Sequence, residues 1–216
     1  MFKKGVLLLV IAVVGICDGC ENDMFNVVRN CYDKYLVMFN LEVNGYGQLP
    51  NTAKFGRKIG YFESSHSADA HSQMCNNTMN LKNCLGESES CVTIENLGNI
   101  FNLTAATSID YFIYYHTQNY LCSVINDYSD SDKECLSLFY TYSAGELKAC
   151  QDNFQINLGN QEDCATFKTN FKCSQLAAEA SCGAKGGTFD CEFNNSYLKH
   201  LKSEICVFEL NNCTEA

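Results

Sequence analysis

Apolar residues recur along this chain at three- and four-residue steps far more than they alternate, so the pattern predicts helices almost throughout. Over residues 21–42, Phe25, Val28, Cys31, Tyr32, Tyr35, Leu36 and Phe39 fall on one helical face. The pattern breaks over 43–65, where four glycines, Pro50 and two serines predict a long exposed connection with at most one short element. It resumes from Ala68 to Leu85, ending near Gly86, and again from about Cys91 with Ile94, Leu97, Ile100 and Phe101. Residues 105–127 favour helix, although their β-branched and aromatic content leaves a strand open. Tyr128–Asp132 reads as a turn, with Ser131 or Asp132 capping a helix over Lys133–Tyr142. A short helix over 147–158 follows. Gln161–Cys182 is a strong helix closed by Gly183 in a left-handed conformation, and Thr188–Asn211 is a last helix interrupted near Asn194-Asn195. The expected fold is all-α, a bundle of about five to seven helices.

Cysteine changes this picture from a plain bundle to a stapled one. The chain has 15 cysteines. Its start, Met1-Phe2-Lys3-Lys4, is basic, and the apolar run Gly5–Ile16 is too short to span a bilayer before Cys17-Asp18-Gly19-Cys20 turns polar. Residues 1–19 therefore read as a signal peptide and 20–216 as one cysteine-rich helical domain. Cleavage after Cys17 or Gly19 removes Cys17 and leaves an even set: Cys20, Cys31, Cys75, Cys84, Cys91, Cys122, Cys135, Cys150, Cys164, Cys173, Cys182, Cys191, Cys206 and Cys213. In an oxidising compartment these imply seven disulfides. Cys164, Cys173, Cys182 and Cys191 are spaced nine apart. Nine helical residues rise about 13.5 Å, whereas bridged Cα atoms lie within about 7 Å. Neighbours in one continuous helix cannot pair, so each must reach another helix or cross a break such as Gly183. The partners stay open, since fourteen cysteines allow on the order of 10⁵ pairings.

The series Cys75, Cys84, Cys91, Cys122, Cys135, Cys150, then Cys164-Ala-Thr-Phe-Lys-Thr-Asn-Phe-Lys-Cys173 and Ala180-Ser181-Cys182-Gly183, resembles a nematode-expanded family of secreted, cysteine-rich helical domains. That family is a domain of unknown function, the nineteenth so named, also called the T20D4-like domain. The resemblance covers roughly residues 20–210, with Cys206 in the place of the family's late cysteine, and fits the 43–65 stretch less well. It implies a secreted helical domain and brings no catalytic residues with it.

Charge and composition then exclude several partners. The net charge is -10, and losing Lys3 and Lys4 with the leader makes the remainder more acidic. With no Lys/Arg cluster, nucleic acid, heparin-like polymers and anionic membranes are disfavoured, and no membrane span is expected after leader removal. Most of the fourteen phenylalanines and twelve tyrosines must be core.

Chemistry is sparse. His66 and His71 are five apart rather than at a helical metal pair's spacing, and no Gly-x-Ser-x-Gly elbow occurs. The acidic run Asp127, Asp130, Asp132 and Glu134 lacks the turn glycine of a calcium loop and reads as a solvated turn. Gly183-Ala184-Lys185-Gly186-Gly187 reads as a helix–helix turn rather than a phosphate cradle. No catalytic, metal or cofactor residues are assigned. Asn76, Asn102 and Asn194 head glycosylation sequons and should be exposed. The leading reading is a non-enzymatic secreted protein that binds an extracellular protein or a small lipid-like ligand. Two alternatives stand beside it. One is a small hydrolase using His116 or His200 with a nonlocal carboxylate; the other is a carrier enclosing a lipid-sized cavity among the many rings.

Overall fold

A computed structural model describes residues 20–66, 70–142, 149–150, 164–201 and 213, with only the backbone described for 137, 140–142, 164–168, 197, 200 and 201. The regular elements of the described residues are all helices: α1 Asn22–Val37, α2 Thr52–His66, α3 Ala70–Leu85, α4 Ile94–Phe101, α5 Ala105–Val124, α6 Asp130–Tyr142 and α7 Cys164–Leu201, with 3₁₀ turns at Gly86–Cys91 and Ile125–Asp127. The segment 1–19 read as a signal peptide, the helix expected over 147–158 apart from 149–150, and the expected end of the last helix lie outside the described residues.

Local chemistry sets the boundaries. Thr93 and Thr104 cap α4 and α5 by accepting from the backbone N–H groups of Asn96 and Thr107. Residues 105–127, where a strand was open, are helical because this cap is followed by Tyr111, Phe112 and Tyr115 on one buried face. The α6 helix begins before Lys133. Its cap is Ser129, whose Oγ accepts from Asp132 N while its own N–H donates to Asp132 Oδ2, a reciprocal capping box.

The 43–65 stretch corrects the sequence reading most. Its second half is the fifteen-residue helix α2. Asn51 starts it, its Oδ1 accepting from Lys54 N and its carbonyl from Phe55 N. Phe55 and Phe62 are buried and Ile59 packs against the same core. This i, i+4, i+7 stripe outweighs Gly56 and Gly60, which face open space.

The main core gathers α1 to α5 around interlocked rings. Tyr32 meets Phe101 edge-on at 5.4 Å, Phe39 meets Phe55 and Phe62 at 5.7 Å each, and Phe55 stacks on Tyr111 at 5.2 Å. The α5 helix also turns a second face to α7, where Tyr120 packs on Phe189 and donates to Glu192.

Within α7 the chain folds back on itself. Ser174 Oγ donates to Asp190 Oδ1 at 2.9 Å, although sixteen residues of straight helix would separate them by about 24 Å. The reversal is at Gly183, with φ 71 and ψ -173. The positive φ agrees with the expected glycine stop, but the extended ψ belongs to a region open essentially to glycine alone. Gly186 and Gly187 lie where the halves meet: a Cβ at Gly186 would stand 2.5 Å from Cys182 Cβ and 2.8 Å from the Ala178 carbonyl. The break expected at Asn194-Asn195 is not found, as the helix runs on to Leu201.

Six bridges are seen among the described residues: Cys20–Cys91, Cys31–Cys84, Cys75–Cys122, Cys135–Cys182, Cys150–Cys173 and Cys191–Cys213. None joins neighbours of the nine-residue series. Cys31–Cys84 ties α1 to α3, Cys75–Cys122 ties α3 to α5, and Cys135–Cys182 ties α6 to α7. The Cys164 side chain and all of Cys206 lie outside the described residues.

Candidate functional site

The centre of the α1–α5 core is a tyrosine cluster. Tyr32 and Tyr35 on α1 face Tyr111, Tyr114 and Tyr115 on α5, with Thr78 and Leu81 of α3 and Gln118 closing a cavity of about 10 Å³. That is room for about one water, far below a lipid tail. The cluster is wired internally: Tyr35 Oη donates to Tyr114 Oη, Tyr111 Oη to the Pro50 carbonyl at 2.8 Å, and Tyr115 Oη to Glu89 Oε1. Tyr32 Oη and Gln118 Oε1 are buried without protein partners, and Thr78 Oγ1 sits beside the Tyr35 hydroxyl outside hydrogen-bond geometry. Burial raises the pKa of every one of these tyrosines, Tyr35 to about 12. For Tyr32 and Tyr114, neighbouring tyrosines add to the burial effect. These are neutral structural hydroxyls, and the rings fill one another's space rather than enclose a ligand.

The histidines are drawn into packing. His66 stacks on Phe62 at 4.1 Å with Nδ1 3.0 Å from the Phe62 carbonyl. His116 lies edge-on to Phe112 and Tyr115. His71 sits one turn before Cys75, Nε2 3.7 Å from Sγ, and burial together with Lys133 holds its pKa below the usual imidazole range. The His200 side chain is outside the described residues. No group of three or more His, Cys, Asp or Glu residues able to hold a metal occurs among the described residues.

The acidic run organises a helix start. Ser129 and Lys185 contacts draw the Asp132 carboxyl below its ordinary pKa, with Lys185 Nζ at 3.1 Å. The glycine-rich turn 183–187 is a helix–helix reversal, as its composition predicts. Of the sequons, Asn76 on α3 and Asn102 at the end of α4 are exposed. Asn194 is the exception: it is 8 % exposed, and its Nδ2 donates to the buried Asp190 carboxylate at 2.9 Å.

Sequence reasoning marked residues 44–51 as a turn without seeing what it presents. Asn44 Oδ1 accepts from both Tyr46 N and Gln48 N at 2.9 Å, Asn44 N donates to the Gln48 carbonyl, and Gly47 N donates to the Asn44 carbonyl. Gly47 takes φ 76, a left-handed conformation that glycine adopts at little cost. Arg29 lies beneath Gly47 and donates to the Ile100 carbonyl; Gln48 Nε2 reaches the Asn102 carbonyl. Leu49 is buried, and Tyr111 holds Pro50. On this fixed turn Tyr46 is 89 % exposed. The Asn-Gly-x-Gly string was the available signal, but a local pattern does not say which way the turn's aromatic points.

No family model, curated protein or solved structure matches this chain. No helix among the described residues is long and apolar enough to cross a membrane.

Proposed function

We propose that the protein is a secreted, disulfide-stapled helical scaffold that binds an extracellular protein through the Asn44–Gln48 turn, with Tyr46 as the anchor. The observation that carries this reading is a fully presented aromatic on a turn whose backbone is already fixed by Asn44. A rigid tyrosine offers a large amphipathic contact at little ordering cost. The six bridges support an oxidising compartment. The cysteine spacing supports membership of the nematode secreted-domain family, a proposal that a member with the same bridge order would strengthen.

The test is an array of extracellular ectodomains from the same source, probed with wild type and Tyr46→Ser. Saturable binding that weakens about thirtyfold in the variant, at unchanged melting temperature, is the expected result. Binding indifferent to Tyr46→Ser would remove the turn as the anchor. A retained ligand of lipid mass in native mass spectrometry would replace this reading with the carrier.

A further inference from the structure

The six bridges differ in what surrounds their sulfurs. Four have at least one buried cysteine, while both cysteines of Cys75–Cys122 and of Cys135–Cys182 are half-exposed. Cys135 Sγ lies 3.5 Å from the Ser181 carbonyl, which offers nothing to a developing thiolate. Cys75 differs: on the same face of α3, the His71 ring places Nε2 3.7 Å from its sulfur.

We propose that Cys75–Cys122 is a thiol-addressable staple, opened by a low-molecular-weight thiol, and that His71 makes Cys75 the leaving sulfur. The external thiolate attacks Cys122 Sγ. The disulfide bond breaks, its electron pair remains on Cys75 Sγ, and the resulting thiolate accepts a hydrogen bond from His71 Nε2–H. This stabilises the leaving group, and a thiol that leaves as a better thiolate leaves faster. A second external thiolate attacks the outer sulfur of the mixed disulfide and releases Cys122. Two external thiols become one external disulfide, and the protein gains two electrons and two protons. In the oxidised protein His71 is neutral, because burial and Lys133 of α6, itself paired with Asp130, disfavour its cation. The neutral Nε2–H tautomer is the form that donates to the sulfur. Opening this bridge removes the covalent tie between α3 and α5 without touching the other two bridges of residues 20–122.

The experiment is stepwise reduction of the intact secreted protein with glutathione, trapping thiols by alkylation and locating them by peptide mass spectrometry. Cys75 and Cys122 should be labelled first. His71→Leu, which removes the N–H donor, should slow their labelling by about tenfold relative to Cys135 and Cys182 in the same molecule. Because the readout is a ratio within one protein, general loosening by the variant does not mimic the effect. First labelling at another bridge, or an unchanged ratio in His71→Leu, would overturn the proposal.

Discussion

Tyr35 shows at residue scale what burial does to a side chain the sequence marks only as apolar-periodic. Tyrosine is neutral when protonated, so burial lifts the pKa of Tyr32, Tyr35, Tyr111 and Tyr114 in the folded chain, while the unfolded chain keeps about 10. A group whose folded pKa is raised contributes stability that is fully present below its unfolded pKa and lost as pH climbs through the folded one. The melting temperature should therefore hold to about pH 10 and fall steeply towards pH 12. The tyrosinate absorbance that belongs to these buried tyrosines should appear together with unfolding rather than before it. Smooth titration of all twelve tyrosines in a still-folded protein would contradict the buried cluster. The sequons give a second residue-scale expectation. Glycopeptide analysis should find sugar at Asn76 and Asn102 and none at Asn194, because a glycan there would break the Asp190 contact inside the α7 hairpin. Occupied Asn194 in a cooperatively melting protein would show that the hairpin tolerates opening.

The glycines carry the lesson at the scale of the element. At Gly183 an added Cβ meets no neighbour, yet the backbone region itself costs a non-glycine residue about 1–3 kcal/mol. Gly186→Ala should cost a similar amount for a different reason, contact with Cys182 and Ala178. Gly60→Ala, on the open face of α2, should instead stabilise by about 0.5–1 kcal/mol. Chemical denaturation of the three variants checks the order, and a stabilising Gly183→Ala would deny the reversal. The same residues explain what was legible. Gly183 punctuated the sequence correctly because its spacing from helical stripes was clear. Gly56 and Gly60 misled, because a glycine in a helix and one in a loop look alike until Phe55, Ile59 and Phe62 are known to meet a core. The turn at Asn44 was readable from its chemistry; the exposure of Tyr46 depends on Arg29, Ile100 and Asn102, distant in sequence.

For the whole molecule, the bridges outweigh the margin of the native state. Each contributes roughly 2–4 kcal/mol, against a net stability of about 5–15 kcal/mol for a domain. Full reduction should abolish the cooperative transition, with tertiary signals lost before helicity in circular dichroism, and chelators should leave it unchanged. A melting curve indifferent to reduction would assign the fold to the core alone. A chain that begins at Cys20 should also hold no free thiol. With twelve cysteines already bridged, a disulfide-mapped digest should then yield Cys164 linked to Cys206; two labelled thiols at those positions would reject the seventh bridge.

Three of the six bridges fall within residues 20–122 and three within 135–213, and none of the six crosses from one set to the other. Tension applied between Cys20 and Cys213 would travel largely through sulfur. It would pass from Cys20 to Cys91, back along the chain to Cys75, across to Cys122, along 123–134, over to Cys182, and from Cys191 to Cys213. The residues off this route, such as 21–74 and 92–121, are bypassed by it and carry little of the load. Pulled at its ends in an oxidising medium, the chain should lengthen by only a small part of its contour, and force spectroscopy should release the rest in steps once reductant is added. The strip between Cys122 and Cys135, the covalent linkage between the two sets with no sulfur path beside it among the described residues, is where such a molecule yields first once α5 parts from α7.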